Sequence, residues 1–299
     1  MSYLLHLLTY LGIYVIMAMS LNIIIGYCGL LTLAHAGYFA VGSYAYALAT
    51  LKLGWGFLPA TGLGVGVAVL LSLAVSLPAW RFKGDSFVLL SLSVQALFFS
   101  LFYNWFDASE EPGTWTNLTN GPFGLANIPR PAILGIELDT PGSMAALSLA
   151  SAVACGILSW RLLSSPWGRL LKAMRDDELA ARGLGKNTRL ARVQAFAIAC
   201  GMVAVAGAIY ASYVSYIDPN TASLDASILM LSMVIVGGAG NFRGPLVGAL
   251  ILLAIPEALR FAQIPQAAAS SLRLMAYGLL LILMMHFRPQ GLAGDYRIE

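Results

Sequence analysis

The chain has 299 residues, of which 59% are hydrophobic and 10% charged, with a net charge of +3. Soluble domains are nearer 45–50% apolar and about 25% charged, so 17 basic and 14 acidic side chains could not cover a water-exposed surface of this size without large apolar patches. A water-soluble enzyme, a collagen and, with three cysteines, a disulfide scaffold are excluded, and the small net charge argues against nucleic acid as a partner.

A membrane-spanning helix needs about 20 mostly apolar residues. Nine spans are predicted, at 4–25, 29–50, 56–79, 86–106, 141–162, 191–216, 225–241, 244–260 and 270–287. Short Gly-broken segments could be re-entrant, which allows eight to ten. The fold class is therefore all-α, a polytopic transmembrane helical bundle forming one domain over 1–299. The first segment, MSYLLHLLTYLG, lacks the basic start of a cleaved signal peptide and reads as a retained helix. Gly26-Tyr27-Cys28-Gly29 separates it from the second.

The stretch 30–45 combines Thr32, His35 and Tyr38 with small residues. Three-residue spacing puts these polar groups on one helical face, and the segment is expected to line a translocation path. His35 has two readings, a hydrogen bond between helices or a substrate contact. The loop at 107–140 is rich in Pro, Gly and acidic residues and carries Trp115. It reads as a turn-rich external loop, either a plain connection or a surface for a docking protein. Asn117-Leu118-Thr119 fits the glycosylation pattern, with nothing else in the chain to support it.

The loop at 164–192 is different: SSPWGRLLKAMRDDELAARGLGKNTRLAR. Ser165 before Pro166 is a helix start. Leu170, Leu171 and Met174 fall on one face, with Arg169, Lys172 and Arg175 off it. Asp176 or Asp177 suits the cap of a second short helix containing Glu178, Ala180 and Ala181. Gly183 and Gly185 are stop signals, and Asn187 or Thr188 can cap the next span. An apolar face with no span behind it is expected to dock on a cytoplasmic partner. Further on, Gly240, Gly244 and Gly248 are spaced by four, as are Gly62 and Gly66, a spacing that lets helices approach closely in lipid. The breaks at 26–29 and 237–244 hint at an internal repeat.

Thirteen of the 17 basic residues fall in 81–85, 161–192, 243 and 288–299, which makes that side, and the C-terminus, cytoplasmic. Lys52, Arg130, Arg260 and Arg273 lie opposite, with Asp107, Glu110, Glu111, Glu137 and Asp139. Nine crossings put the N-terminus outside. Interior polar residues are few: Asn22, Thr32, His35, Gln95 and Gln194, a thin set for an ion-coupled carrier. Cys28, Cys155 and Cys200 have no ligand partner at metal spacing. The nearest phosphate-loop match, Gly183-Leu-Gly-Lys186-Asn187, has Ala180 where the first Gly belongs and no Ser or Thr after the Lys. The chain is not expected to be an enzyme.

LNIIIGYCGLLTLAHAGYFAVGSYAYAL, GPFGLANIPRP, the charged loop with its following helix, and SILMLSMVIVGGAGNFRGPLVGALILLAIPEALR resemble the high-affinity branched-chain amino acid permease family of bacterial ABC importers, in its M-type subunit. The likeness covers most of 20–260. It implies a bacterial inner-membrane protein working with a second permease subunit, a paralogue, two ATP-binding cassette subunits and an external amino-acid-binding protein. It implies no cofactor on this chain, ATP and Mg²⁺ being held by the partner subunits. Arg175, Asp176, Asp177, Glu178, Ala180, Ala181, Gly183 and Gly185 loosely match the ATPase-coupling motif, with Leu179 interrupting the strict spacing. Urea or amide transport within the same family, an ion-coupled carrier with unwound points at Gly26–Gly29 and Gly237–Gly240, and a scaffold without transport are the rival readings.

Overall fold

Each apolar run predicted to cross the membrane is helical in the computed structural model, which describes residues 2–79, 82, 84–133, 136–261, 266–288 and 290–294. The helices are α1 (Ser2–Asn22), continued by one π turn (Ile23–Tyr27), α2 (His35–Leu53), α3 (Phe57–Ala79), α4 (Asp85–Asn104) and α5 (Pro141–Ser164). Then come two short helices, α6 (Pro166–Asp176) and α7 (Glu178–Gly183), and the long α8 (Thr188–Val214). Finally α9 (Leu224–Gly237), α10 (Gly244–Phe261) and α11 (Gln266–Phe287) complete the bundle.

Five of these, α1, α3, α4, α5 and α8, are each long and apolar enough to cross a membrane. α9, α10 and α11 contain shorter apolar stretches. At 14 residues, α9 rises only about 21 Å, less than a hydrocarbon core of roughly 30 Å. α2 begins at His35 rather than 29, because Gly29 takes a left-handed backbone (φ +70) and the chain stays non-helical to Ala34. This helix carries Tyr38, Ser43, Tyr44 and Tyr46, all buried, because it lies between α8 and α3, with α9 and α4 beside it. A span enclosed by protein need not be uniformly apolar.

Close helix contact carries the packing. A Cβ at Gly42 of α2 would fall on the backbone of Ala204 in α8, and one at Gly12 of α1 on Ser148 of α5. The Ser148 hydroxyl donates to the Thr9 carbonyl at 2.7 Å, so small residues and a hydroxyl share that seam.

The loops collect at two ends. At one, the 107–140 connection pairs with the segment after α8 through strands β1 (Leu125–Ala126) and β4 (Tyr216–Ile217), which are antiparallel with Leu125 opposite Ile217. A second two-stranded piece, β2 (Ala132–Ile133) with β3 (Ile136–Glu137), lies in the same loop, which also packs Gly113 on Lys52 at the end of α2. Asp107, Glu110, Glu111, Glu137, Asp139 and Asp218 gather here, and this is the acidic end. At the other are α6, α7, the α9–α10 turn, Arg288 and residues 290–294, with most of the basic side chains. Arg81, Lys83 and Arg297, also predicted for the basic side, lie outside the described residues.

Candidate functional site

The basic end is organised by helix caps. Ser165 accepts from the Trp167 N–H to start α6, and Asp177 Oδ1 accepts from the Leu179 and Ala180 N–H groups to start α7. Gly183 ends α7, Gly185 takes φ +76, and Asn187 Oδ1 accepts from the Leu190 N–H to begin α8. Local side-chain oxygens and glycines thus shape this loop as the sequence indicates.

The apolar face of α6 is spoken for within the chain. Leu171 (0% exposed) and Met174 (4%) are buried against α8 and the π turn, so this face is not the expected docking surface. Arg175 Nη1 donates to the Gly26 carbonyl at 2.7 Å while Nη2 pairs with Asp176 at 3.0 Å, and Lys172 Nζ sits 5.2 Å above the Tyr27 ring. α6 is therefore latched to the turn that ends α1. Glu178 is also internal. Its carboxylate accepts from Arg182 at 2.6 Å and meets Arg192 at 3.2 Å, and the Thr188 hydroxyl donates to it at 3.3 Å, tying α7 to α8. Ala181 is buried, while Asp176, Asp177, Ala180, Gly183 and Gly185 are exposed. The apolar groups α7 leaves open are Leu179, 72% exposed, and Leu184 just beyond it, 80% exposed.

The two glycine breaks meet at this end. A Cβ at Gly26 would strike the Gly240 N–H group. Asn22 fills the joint: its Oδ1 accepts from the Gly240 N–H at 3.0 Å and its Nδ2 donates to the Asn241 carbonyl at 3.0 Å. Asn241 in turn donates to the Ala293 carbonyl at 2.8 Å. Gly240 (φ +81) belongs to this turn and not to α10, so the predicted ridge of three glycines is reduced to two, Gly244 and Gly248. Those two lie directly on α9, where their Cβ positions would fall on the Gly238 and Met233 carbonyls. Among the described residues, a Cβ at Gly62 or Gly66 would meet nothing within 4 Å.

Thr32, His35 and Tyr38 do not form the predicted face, since Thr32 precedes α2. All three are buried inside the chain. His35 Nε2 hydrogen-bonds Ser20 Oγ of α1 at 2.8 Å, the helix-to-helix reading of this residue. Thr32 Oγ1 accepts from the Ala34 N–H at 3.3 Å, and Tyr38 packs edge-on to Phe98. Gln95 Oε1 accepts from the Gly37 N–H at 3.0 Å, and Gln194 Oε1 from the Trp167 indole at 3.0 Å. The interior polar residues are thus engaged in holding seams and turns together.

Sequence reasoning missed a group near the acidic end. His6, Tyr10 and Tyr14 follow one another along α1 at four-residue spacing, and Tyr210 and Tyr213 of α8 face them. The signal was present as aromatics four apart in α1 and three apart in α8, but nothing in one sequence showed that these faces meet. At the rim of this end Asp107 is held below the usual carboxylate range by hydrogen bonds from the Ser109 hydroxyl and N–H. Among the described residues no cluster of His, Cys, Asp and Glu has the arrangement to hold a metal.

Residues 3–285 match the family described as branched-chain amino acid transport system / permease component. The chain belongs to that family. A high-affinity branched-chain amino acid transport system permease protein LivM of Escherichia coli (strain K12) is 29% identical over 306 residues, covering 94% of this chain and 67% of the relative. A probable branched-chain amino acid transport permease protein LivM of Methanocaldococcus jannaschii is 26% identical, covering 97% and 92%. The autoinducer 2 import system permease protein LsrC of Salmonella typhi is 30% identical over 48% of this chain and 41% of its own. No solved structure matches significantly. This permease is accordingly a multi-pass membrane protein and a transporter subunit.

Proposed function

We propose that the chain is one permease subunit of an ATP-driven importer that moves branched-chain or other neutral amino acids into a bacterial cytoplasm. The observation that carries this reading is the family match over nearly the whole chain, at relatives named for branched-chain amino acid transport. In this reading the second permease subunit is a paralogue. Two ATPase subunits bind and hydrolyse ATP with Mg²⁺, and an external binding protein delivers the substrate at the acidic end. This chain holds no cofactor and performs no hydrolysis.

The basic end then faces the cytoplasm, as the positive-inside rule requires, with the C-terminal segment there and the start of α1 outside. α6 and α7 form the coupling element. ATP-driven closure moves the ATPases, which move α7, and the Arg175–Gly26 latch carries that motion to the joint of the two broken helices. An ion-coupled carrier would need a site between the breaks, a place that the Asn22 side chain occupies.

The test is uptake of labelled leucine into right-side-out vesicles, loaded with ATP, from cells expressing the whole system. ATP-dependent uptake that survives an uncoupler, with an ATPase co-purifying on a tagged permease, is the expected result. Uptake abolished by the uncoupler with ATP held constant would overturn it in favour of an ion-coupled carrier.

A further inference from the structure

Beside the aromatic group on α1 and α8 lies a crevice of about 270 Å³, bounded by α1, α2, α8, α9 and the turn before α9. Ligand pockets for drug-sized molecules run from roughly 300 to 1,000 Å³, so this one is on the scale of a small metabolite. Tyr10, Tyr14 and Tyr210, all partly open, form its walls. Its floor is Met17, Phe39 and Met230, each buried. At its mouth stand Asp218, Asn220 and Thr221. Asp218 Oδ2 accepts from Asn220 at 2.7 Å, and Oδ1 accepts no hydrogen bond among the described residues. Tyr10 also borders a second cavity of about 310 Å³, nearer the acidic surface, whose rim includes His6, Arg130 and Tyr213.

We propose that this crevice receives the amino acid during passage, with Asp218 taking the ammonium group, Tyr10, Tyr14 and Tyr210 flanking it, and Met17 and Met230 meeting the apolar side chain. The inference deepens the amino-acid reading above and rests on it. The chemistry matches at each point. A carboxylate with a free acceptor suits an ammonium, and tyrosine faces attract the same cation through their ring quadrupoles. Thioethers are unbranched and adaptable, so a methionine floor accommodates several aliphatic side chains without selecting one. The substrate carboxylate is left toward the adjoining cavity, on whose rim Arg130 reaches Asp139 at 3.8 Å and retains further donors. Below the floor, α1 is buried from Val15 to Asn22 and closed off by the Asn22 joint. The polar residues 218–221 thus line the crevice on its acidic-end side, while the Asn22 joint lies toward the basic end.

The test uses the assembled transporter in membrane vesicles, with Cys28, Cys155 and Cys200 replaced by Ala and single cysteines at Thr221→Cys or Leu229→Cys. Both should react with a water-soluble, membrane-impermeant maleimide, and leucine delivered by the binding protein should slow the reaction. Adding Asp218→Asn to Leu229→Cys should leave the labelling rate alone but raise the leucine concentration needed for protection about tenfold, the loss of one charge-assisted contact. Asp218→Glu should restore part of the protection. Reaction with a lipid-soluble maleimide alone would show a crevice facing the bilayer and overturn the proposal. So would leucine protection that is absent, or unmoved by Asp218→Asn, in a system that takes up leucine. A wild-type system that takes up no leucine would instead fail the functional reading, whatever the labelling shows.

Discussion

Asn22 shows how one side chain can fix a joint between distant parts of the chain. It is 2% exposed, and it satisfies one backbone donor and one backbone acceptor more than 200 positions away. Ala at this position would leave the Gly240 N–H and the Asn241 carbonyl without those partners. An unsatisfied buried polar group costs about 1–3 kcal/mol, although polar pairs in membrane proteins average nearer 0.6 kcal/mol. Asn22→Ala is therefore expected to lower the thermal midpoint in detergent, and Asn22→Asp, which keeps the acceptor but loses the donor, to lower it as well. Unchanged midpoints for both variants would mean that the joint is held by packing alone. In the sequence Asn22 was visible only as a lone polar residue in an apolar run, because its partners are set by tertiary structure. Glu178 was misread for the same reason. As an acid in a charged loop it looked like a surface contact, yet it is only 13% exposed on its side chain and clamps Arg182 and Arg192. Glu178→Lys would place a third cation in that clamp and disturb the loop itself, so it cannot isolate an interface effect.

Elements whose ends depend on neighbours in sequence were the most legible. Ser165, Asp177 and Asn187 all cap helices, since a cap needs only a side-chain oxygen two or three residues from a free N–H. The start of α2 and the membership of Gly240 were not legible, since both depend on chain segments that meet only after folding. The glycines make the same point with opposite signs. A Cβ on Gly248 would fall on the Met233 backbone carbonyl, and a backbone atom in a packed helix cannot swing aside as a long side chain can. Gly248→Ala is expected to destabilise the α9–α10 hairpin by about 1–3 kcal/mol, the usual cost of overpacking. Gly62→Ala meets nothing within 4 Å among the described residues and removes a flexible residue from a helix. It should be neutral or slightly stabilising, by up to about 1 kcal/mol. Thermal unfolding of the two variants side by side checks the contrast, and equal losses would mean that sequence spacing, not the observed contacts, identifies the packing glycines.

Across the whole molecule, the division into an acidic end and a basic end was readable from charge alone, and the structure adds how the basic end is connected. Two functions of that end should separate. Leu179 and Leu184 are the open apolar groups on and beside α7, and Arg182, Lys186 and Arg189, close to them in sequence, are exposed as well. A central apolar contact ringed by polar residues is the usual form of an interface anchor, and truncating such an anchor commonly costs about 1–2 kcal/mol, or roughly fivefold to thirtyfold in affinity. Leu179→Ser and Leu184→Ser should therefore weaken ATPase association by that factor while the permease itself unfolds at its normal temperature. Arg175 is placed differently, since its guanidinium turns inward to the Gly26 carbonyl and is only 10% exposed. Arg175→Ala should keep the ATPase bound but loosen α6 from the end of α1, so that less substrate moves for each ATP hydrolysed. Pull-down affinity and the ratio of leucine uptake to phosphate release, measured on the same reconstituted complexes, distinguish the two effects. If Arg175→Ala lost the ATPase, or if the leucine variants kept it and lowered only the ratio, the contact and the latch would have to change places.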